Sequence, residues 1–110
     1  MDEIYEILKE RILSLDENVF ITKTMNYYGF KLGGRINKNF ANVYVRPHFI
    51  KVHLSTLGKY DDPKKLLSQV SHENWNALRN FVELKEFSDL TDNLKLIEQS
   101  YQFVRDDIKN

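Results

Sequence analysis

Residues 38–54 read KNFANVYVRPHFIKVHL, and this stretch decides what kind of fold the chain can take. Ala41, Val43 and Val45 recur at every second position, and Ile50, Val52 and Leu54 do so again after the interruption at Arg46-Pro47. Successive side chains of a strand point to opposite sides, so this alternation describes two strands that each have one apolar face. The opposite face carries Phe40, Asn42, Tyr44 and Arg46, then Phe49, Lys51 and His53, a mixture of aromatic rings and positive charge.

Working outward, the upstream segment NYYGFKLGGR (26–35) repeats the pattern. Tyr28, Phe30 and Leu32 form the apolar face of a strand, Tyr27 and Lys31 lie on the other face, and the paired glycines are turn residues. The β texture begins at Val19. Before it, Ile4, Ile7, Leu8, Ile12 and Leu15 recur at helical spacing, with acids in the first turn where the helix dipole favours them, so residues 2–14 are predicted as an amphipathic helix.

Downstream, Asp61-Asp62-Pro63 reads as a helix entry, with Asp62 as N-cap and Pro63 at the first helical position, followed by a short helix through Leu66, Leu67 and Val70. Residues 71–80 (SHENWNALRN) read either as its continuation or as a loop pinned by Trp75. VELKEF at 82–87 alternates as a strand, and Ser88 or Asp89 can cap a last helix with the stripe Leu90, Leu94, Ile97, Tyr101, Val104 and Ile108. The order α-β-β-β-α-β-α has consecutive hairpins and no βαβ rhythm. It predicts one α+β domain over residues 1–110, a two-layer sandwich in which N- and C-terminal helices pack on an antiparallel sheet of about four strands.

Composition narrows the function. A chain of 110 residues buries roughly two-thirds of the surface its unfolded form exposes and needs no disulfide. There is no cysteine, which removes thiol nucleophiles and thiolate metal sites and fits a cytoplasmic protein. No apolar run approaches the ~18 residues that span a bilayer, and MDEIYEILKE puts acids where a signal peptide carries basic residues, so neither membrane insertion nor secretion is expected. The net charge of zero hides a strong asymmetry. Residues 1–22 hold two basic and six acidic residues (−4), residues 23–65 nine and two (+7), and residues 66–110 five and eight (−3).

No catalytic signature stands out. Glu83-Leu84-Lys85 with Asp61 and Asp62 upstream resembles the acid and E-x-K set of metal-dependent nucleases, but so short a pattern arises constantly on the wet face of a strand. His48, His53 and His72 lack metal-ligand spacing, and Gly29, Gly33 and Gly34 lack the strand–turn–helix order of a phosphate loop. KNFANVYV is similar to the RNA-recognition-motif signature at Phe40 and Ala41. Asn39 and Asn42 depart from that signature, and the element order is not βαββαβ. Exposed rings beside Lys and Arg can nevertheless stack bases on any sheet. The plainer reading pairs Tyr27, Phe40 and Tyr44 across strands or covers them with a helix, the cations keeping the face wet.

Taken together, YYGFKLGG, FANVYVRP, IKVHL, DDPKKLL, VSHENW and LKLIEQSY resemble, over residues 22–103, a small bacterial and archaeal domain of unknown function often labelled a predicted transport protein. Members occur alone and behind nuclease-like or restriction-associated domains. The resemblance implies an accessory or recognition role, and it carries a His-Trp pair onto His72 and Trp75, here separated where the family has them adjacent.

The expectation is therefore a non-enzymatic binding module without cofactor or metal. Its partner is a nucleic acid, another anionic molecule or a nuclease-type protein, and it works as a monomer or small homo-oligomer. The binding residues expected are Tyr27, Lys31, Arg35, Lys38, Tyr44, Arg46, Lys51, His72 and Trp75. The alternative is a protein-interaction or assembly domain using the aromatic face, and a metal-dependent nuclease ranks third.

Overall fold

In the computed structural model, which describes residues 1–70 and 78–107, the chain runs through α1 (Asp2–Leu13), β1 (Val19–Lys23), β2 (Tyr28–Leu32), β3 (Lys38–Val45), β4 (Ile50–Leu54), β5 (Ser68–Gln69), β6 (Asn80–Leu84) and α2 (Leu90–Asp107). The strands form one sheet in the order β1-β2-β3-β4-β6-β5, every pairing antiparallel. Both helices pack on one face of it, α2 against β2, β3 and β6, and α1 against β1 and α2. The fold is thus the α+β arrangement that the alternation predicts. Among the described residues no helix is long and apolar enough to cross a membrane.

The sheet has six strands rather than about four. β1 is a separate strand because the chain reverses at 24–27, where the Thr24 hydroxyl accepts from the Asn26 and Tyr27 amides at 3.2 and 3.0 Å. β5 stands where a short helix was expected after Pro63. Asp62 caps no helix: its carboxylate accepts from the Leu66 and Leu67 amides, four and five residues on, at 2.9 and 3.0 Å, and Lys65 turns into the left-handed region (φ 53°), so the segment closes as a turn. Between β2 and β3 the reversal goes through Gly34 at φ 70°, where a glycine meets no steric penalty.

α2 follows β6 closely. The expected strand at 82–87 is displaced to Asn80–Leu84, because Asp89 folds back to accept from the Lys85 and Glu86 amides at 2.8 and 3.2 Å. Glu86 and Asp89 thereby form a capping box around a 3-10 turn, Phe87–Asp89, that leads into the helix. The buried stripe of α2 includes Leu96, Ile97, Tyr101 and Val104, with the polar Asn93 and Ser100 among them. Ile108 lies outside the described residues.

The apolar faces of β2, β3 and β4 meet this stripe. Phe30, Ala41, Val43, Ile50, Val52 and Leu54 are all fully buried with Leu8 and Ile12 of α1, and Tyr28 stacks on Tyr5 at 4.6 Å between ring centres. One strand residue does not obey the alternation. Phe40, expected on the opposite face, is fully buried and meets Tyr101 of α2 edge-on at 5.6 Å. The cause is a β-bulge, in which Phe30 pairs with Ala41 but Lys31 pairs with Asn39, so Phe40 is the extra residue of β3. Phe40 and Ala41 turn to the same side, and the parity of everything before them is inverted. A bulge leaves a carbonyl outside the ladder; Ser100 donates its hydroxyl to the Phe40 carbonyl at 2.6 Å and accepts from the Ser55 amide at 2.9 Å.

Candidate functional site

No described helix lies on the other face of the sheet. Strand register sets its side chains in rows. Gly29, Asn42, His53 and Phe81 are successive cross-strand partners on β2, β3, β4 and β6, and Tyr44, Lys51 and Glu83 form the next row. The rings of these rows meet in a continuous ladder. Tyr27 packs on Tyr44 at 5.2 Å, Tyr44 meets His53 edge-on at 5.2 Å, and His53 stacks on Phe81 at 5.5 Å. Two cations flank the ladder, Arg46 5.4 Å from the centre of the ring of Tyr44, the second rung, and Lys51 4.1 Å from that of Phe81 at the far end.

The middle of the ladder is dry. His53 is only 2% exposed although it points away from the helices; Tyr44 and Phe81 lie against its ring, and the Leu78 carbonyl is 3.1 Å from Nδ1. A carbonyl can only accept, so Nδ1 carries the proton of the neutral ring. Burial holds the His53 pKa below its ordinary value, Lys51 pushes it the same way, and the Leu78 carbonyl opposes both. Burial likewise raises the Tyr44 phenol, helped by Tyr27 and opposed by Arg46. Tyr27, Tyr44 and Phe81 are half-buried, so each still offers part of its ring to solvent.

Beside the ladder is a cleft of about 360 Å³ lined by Tyr27, Lys31, Lys38, Asn39, Asn42 and Leu78, among others. Its floor is an amide pair, in which Asn39 Nδ2 donates to Asn42 Oδ1 at 2.9 Å. The pair lies across β2 at Gly29, where a Cβ would stand 2.7 Å from Asn39 Nδ2 and 3.0 Å from Thr22 Oγ1. Glycine is needed there because the amide occupies the space of a side chain.

The residues expected to bind fall into distinct groups. Tyr44, Arg46 and Lys51 belong to the ladder, Lys31 and Lys38 line the cleft, and Tyr27 joins the two. Lys38 is already paired with Asp107 of α2 at 3.0 Å, so its charge is largely spent within the fold. Arg35 is exposed in the turn between β2 and β3 and lines neither feature. His72 and Trp75 lie outside the described residues. Reading from sequence missed Gly29, Asn39 and Phe81 as parts of this face. Phe81 follows from alternation once β6 is shifted to start at Asn80; Asn39 reaches the face only through the bulge.

The E-x-K arrangement does not assemble. Asp62 is committed to the Leu66 and Leu67 amides, and the Asp61 backbone is held by Gln99, which accepts from its amide at 2.7 Å and donates to its carbonyl at 3.0 Å. Among the described residues no three His, Asp or Glu side chains come together in a group that could hold a metal ion. No protein-family model, no curated protein and no solved structure matches the chain. What it does is therefore inferred from its own residues.

Proposed function

We propose that this chain is a non-enzymatic binding module that takes single-stranded nucleic acid on the outer face of its sheet. The observation that supports this reading is the ladder Tyr27–Tyr44–His53–Phe81 with Arg46 beside Tyr44 and Lys51 beside Phe81, on a face free of described helices. Bases stack on partly exposed rings regardless of sequence, and cations beside such a row meet the phosphates of the strand. A strand with unpaired bases fits this face, whereas a duplex hides the ring surfaces that the ladder would contact. The cysteine-free composition fits a reducing compartment for such a module.

Fluorescence anisotropy with labelled single-stranded and duplex oligonucleotides at two salt concentrations tests the reading. Single strands bind more tightly at low salt, and Tyr44→Leu combined with Lys51→Gln weakens them about tenfold or more, since stacking contributes ~1–3 kcal/mol per base. Absence of binding at low salt sinks the proposal.

A second reading rests on one observation of its own. Phe20 is 43% exposed on β1, the outermost strand, whose far edge has no strand partner among the described residues. A sheet edge with an exposed aromatic suits strand-to-strand assembly. Light scattering after size-exclusion chromatography decides between them: a stable dimer lost in Phe20→Lys supports assembly through β1.

A further inference from the structure

The ladder accounts for stacking and charge but leaves the Asn39–Asn42 pair without a purpose. Asn42 is only 7% exposed, yet the amide atoms of Asn42 and Asn39 are not among the fully buried unpartnered ones, so what the pair leaves free reaches the solvent of the cleft. Here the Asn39–Asn42 bond uses one oxygen and one nitrogen. Among the described residues nothing else bonds to the other two, Asn39 Oδ1 and Asn42 Nδ2, and both residues line the cleft. The conclusion does not depend on how the amides are oriented. If both were flipped, Asn42 would donate to Asn39, and one acceptor and one donor would still remain free.

A free donor and a free acceptor in the lining of one cleft can meet the edge of a nucleobase, which itself presents a donor and an acceptor. The rest of the cleft fits the same occupant. Tyr27 provides an aromatic wall that is continuous with the ladder, Leu78 an apolar boundary, and Lys31 a cation for the adjoining phosphate. The volume of about 360 Å³ falls within the range of small-molecule pockets, roughly 300–1,000 Å³. Gly29 is what allows the amide pair to lie flat, because a side chain there would displace Asn39.

We infer that this cleft receives one unpaired base of the bound strand and reads its edge with the Asn39–Asn42 pair, so that binding depends on base identity. The inference rests on the single-strand reading above and adds a specificity-determining site to it. Base preference belongs to the cleft and overall affinity to the ladder.

The test is anisotropy with labelled homopolymers of dA, dC and dT and with an abasic strand of equal length, against the wild-type chain, Asn39→Ala and Gly29→Ala. The wild type spreads the three homopolymers over about fivefold to tenfold in affinity, as expected for one two-point edge contact. Asn39→Ala and Gly29→Ala each compress that spread below about twofold, while every variant retains binding that falls with salt. Gly29→Ala keeps both amides, so its agreement with Asn39→Ala ties the effect to their geometry. Equal affinity for the three homopolymers in the wild type, or a spread that survives both substitutions, overturns the cleft assignment and leaves the ladder reading standing. Binding of no strand at all overturns both.

Discussion

Replacing Ser100 with alanine is the sharpest test of what holds the outer face in its register. The Ser100 hydroxyl is fully buried, and it joins three elements, α2 through its own backbone, β3 through the Phe40 carbonyl at 2.6 Å, and the end of β4 through the Ser55 amide at 2.9 Å. Alanine removes both bonds and leaves both partners buried. Each orphaned group costs about 1–3 kcal/mol, less roughly 0.5 kcal/mol regained because alanine is the better helix former. The expected loss is therefore about 1.5–5.5 kcal/mol, a large share of the stability of a small domain. At about 4 °C per kcal/mol this lowers the melting temperature by roughly 6–22 °C. Urea denaturation followed by circular dichroism reads the loss directly, with an unchanged slope because the fold still unfolds as one unit. Thr91→Ala, an exposed change on the same helix, serves as control and stays within about 0.5 kcal/mol. Hydrogen exchange adds a local signature, since the Ser55 amide loses its acceptor. A loss below about 0.5 kcal/mol for Ser100→Ala refutes the claim that this hydroxyl pins the bulge.

Two further outcomes follow from buried titrating groups. Because burial lowers the pKa of His53, the unfolded chain takes up a proton near 6.5 that the folded chain refuses. Stability is full above that pH and falls as pH is lowered through it, until the folded-state pKa is reached. Denaturation midpoints measured at about pH 7.5 and 5.5 show the fall, which is smaller in His53→Phe; an undiminished fall in that variant removes His53 as its source. At the alkaline end, burial pushes the phenols of Tyr5 and Tyr60 up to about 12, and the Tyr60 hydroxyl also donates to the Ser55 carbonyl at 2.6 Å. The stability they contribute is present below about pH 10 and is lost as pH rises through 12. Ultraviolet titration accordingly shows late-ionising phenols, fewer in Tyr60→Phe, unless all of them ionise together near 10 while the fold is intact.

How far the sequence could be read depends on the range of the interactions involved. Helical spacing and strand alternation are local, and they place α1, α2 and the apolar faces of β2 to β4 correctly. The Asp62-Pro63 helix entry is a local signal too, but the Asp62 carboxylate closes a turn on the Leu66 and Leu67 amides and no helix follows, so there the local signal misleads. Phe40 fails for a longer-range reason. Its neighbour Ala41 is also apolar, which hints at two adjacent inward residues, yet only Ser100, sixty positions away, receives the carbonyl that a bulge sets free. The same bulge turns Asn39 toward Asn42 on the outer face. Tyr27, Tyr44 and Lys51 were legible by parity alone because they lie beyond the bulge, whereas the amide pair required knowing where parity breaks.

Charge gives a last prediction that separates the face from the whole chain. The middle of the sequence carries +7, and if all of it met phosphate, binding would fall very steeply with salt. The fold spends part of that charge internally, with Lys38 on Asp107 at 3.0 Å and Lys64 on Asp92 at 2.8 Å. Lys31, Arg46 and Lys51 accompany the ladder and the cleft, with Arg35 in the adjoining turn. Single strands release ~0.7 counterion per phosphate neutralised, so three or four such contacts give a log–log salt slope of roughly −2 to −3. Lys51→Gln flattens it by about 0.7, and Lys64→Gln leaves it unchanged. A slope near −5 in the wild-type chain, or a Lys64→Gln effect as large as that of Lys51→Gln, means that the strand follows the general positive charge of the middle segment and not the ladder.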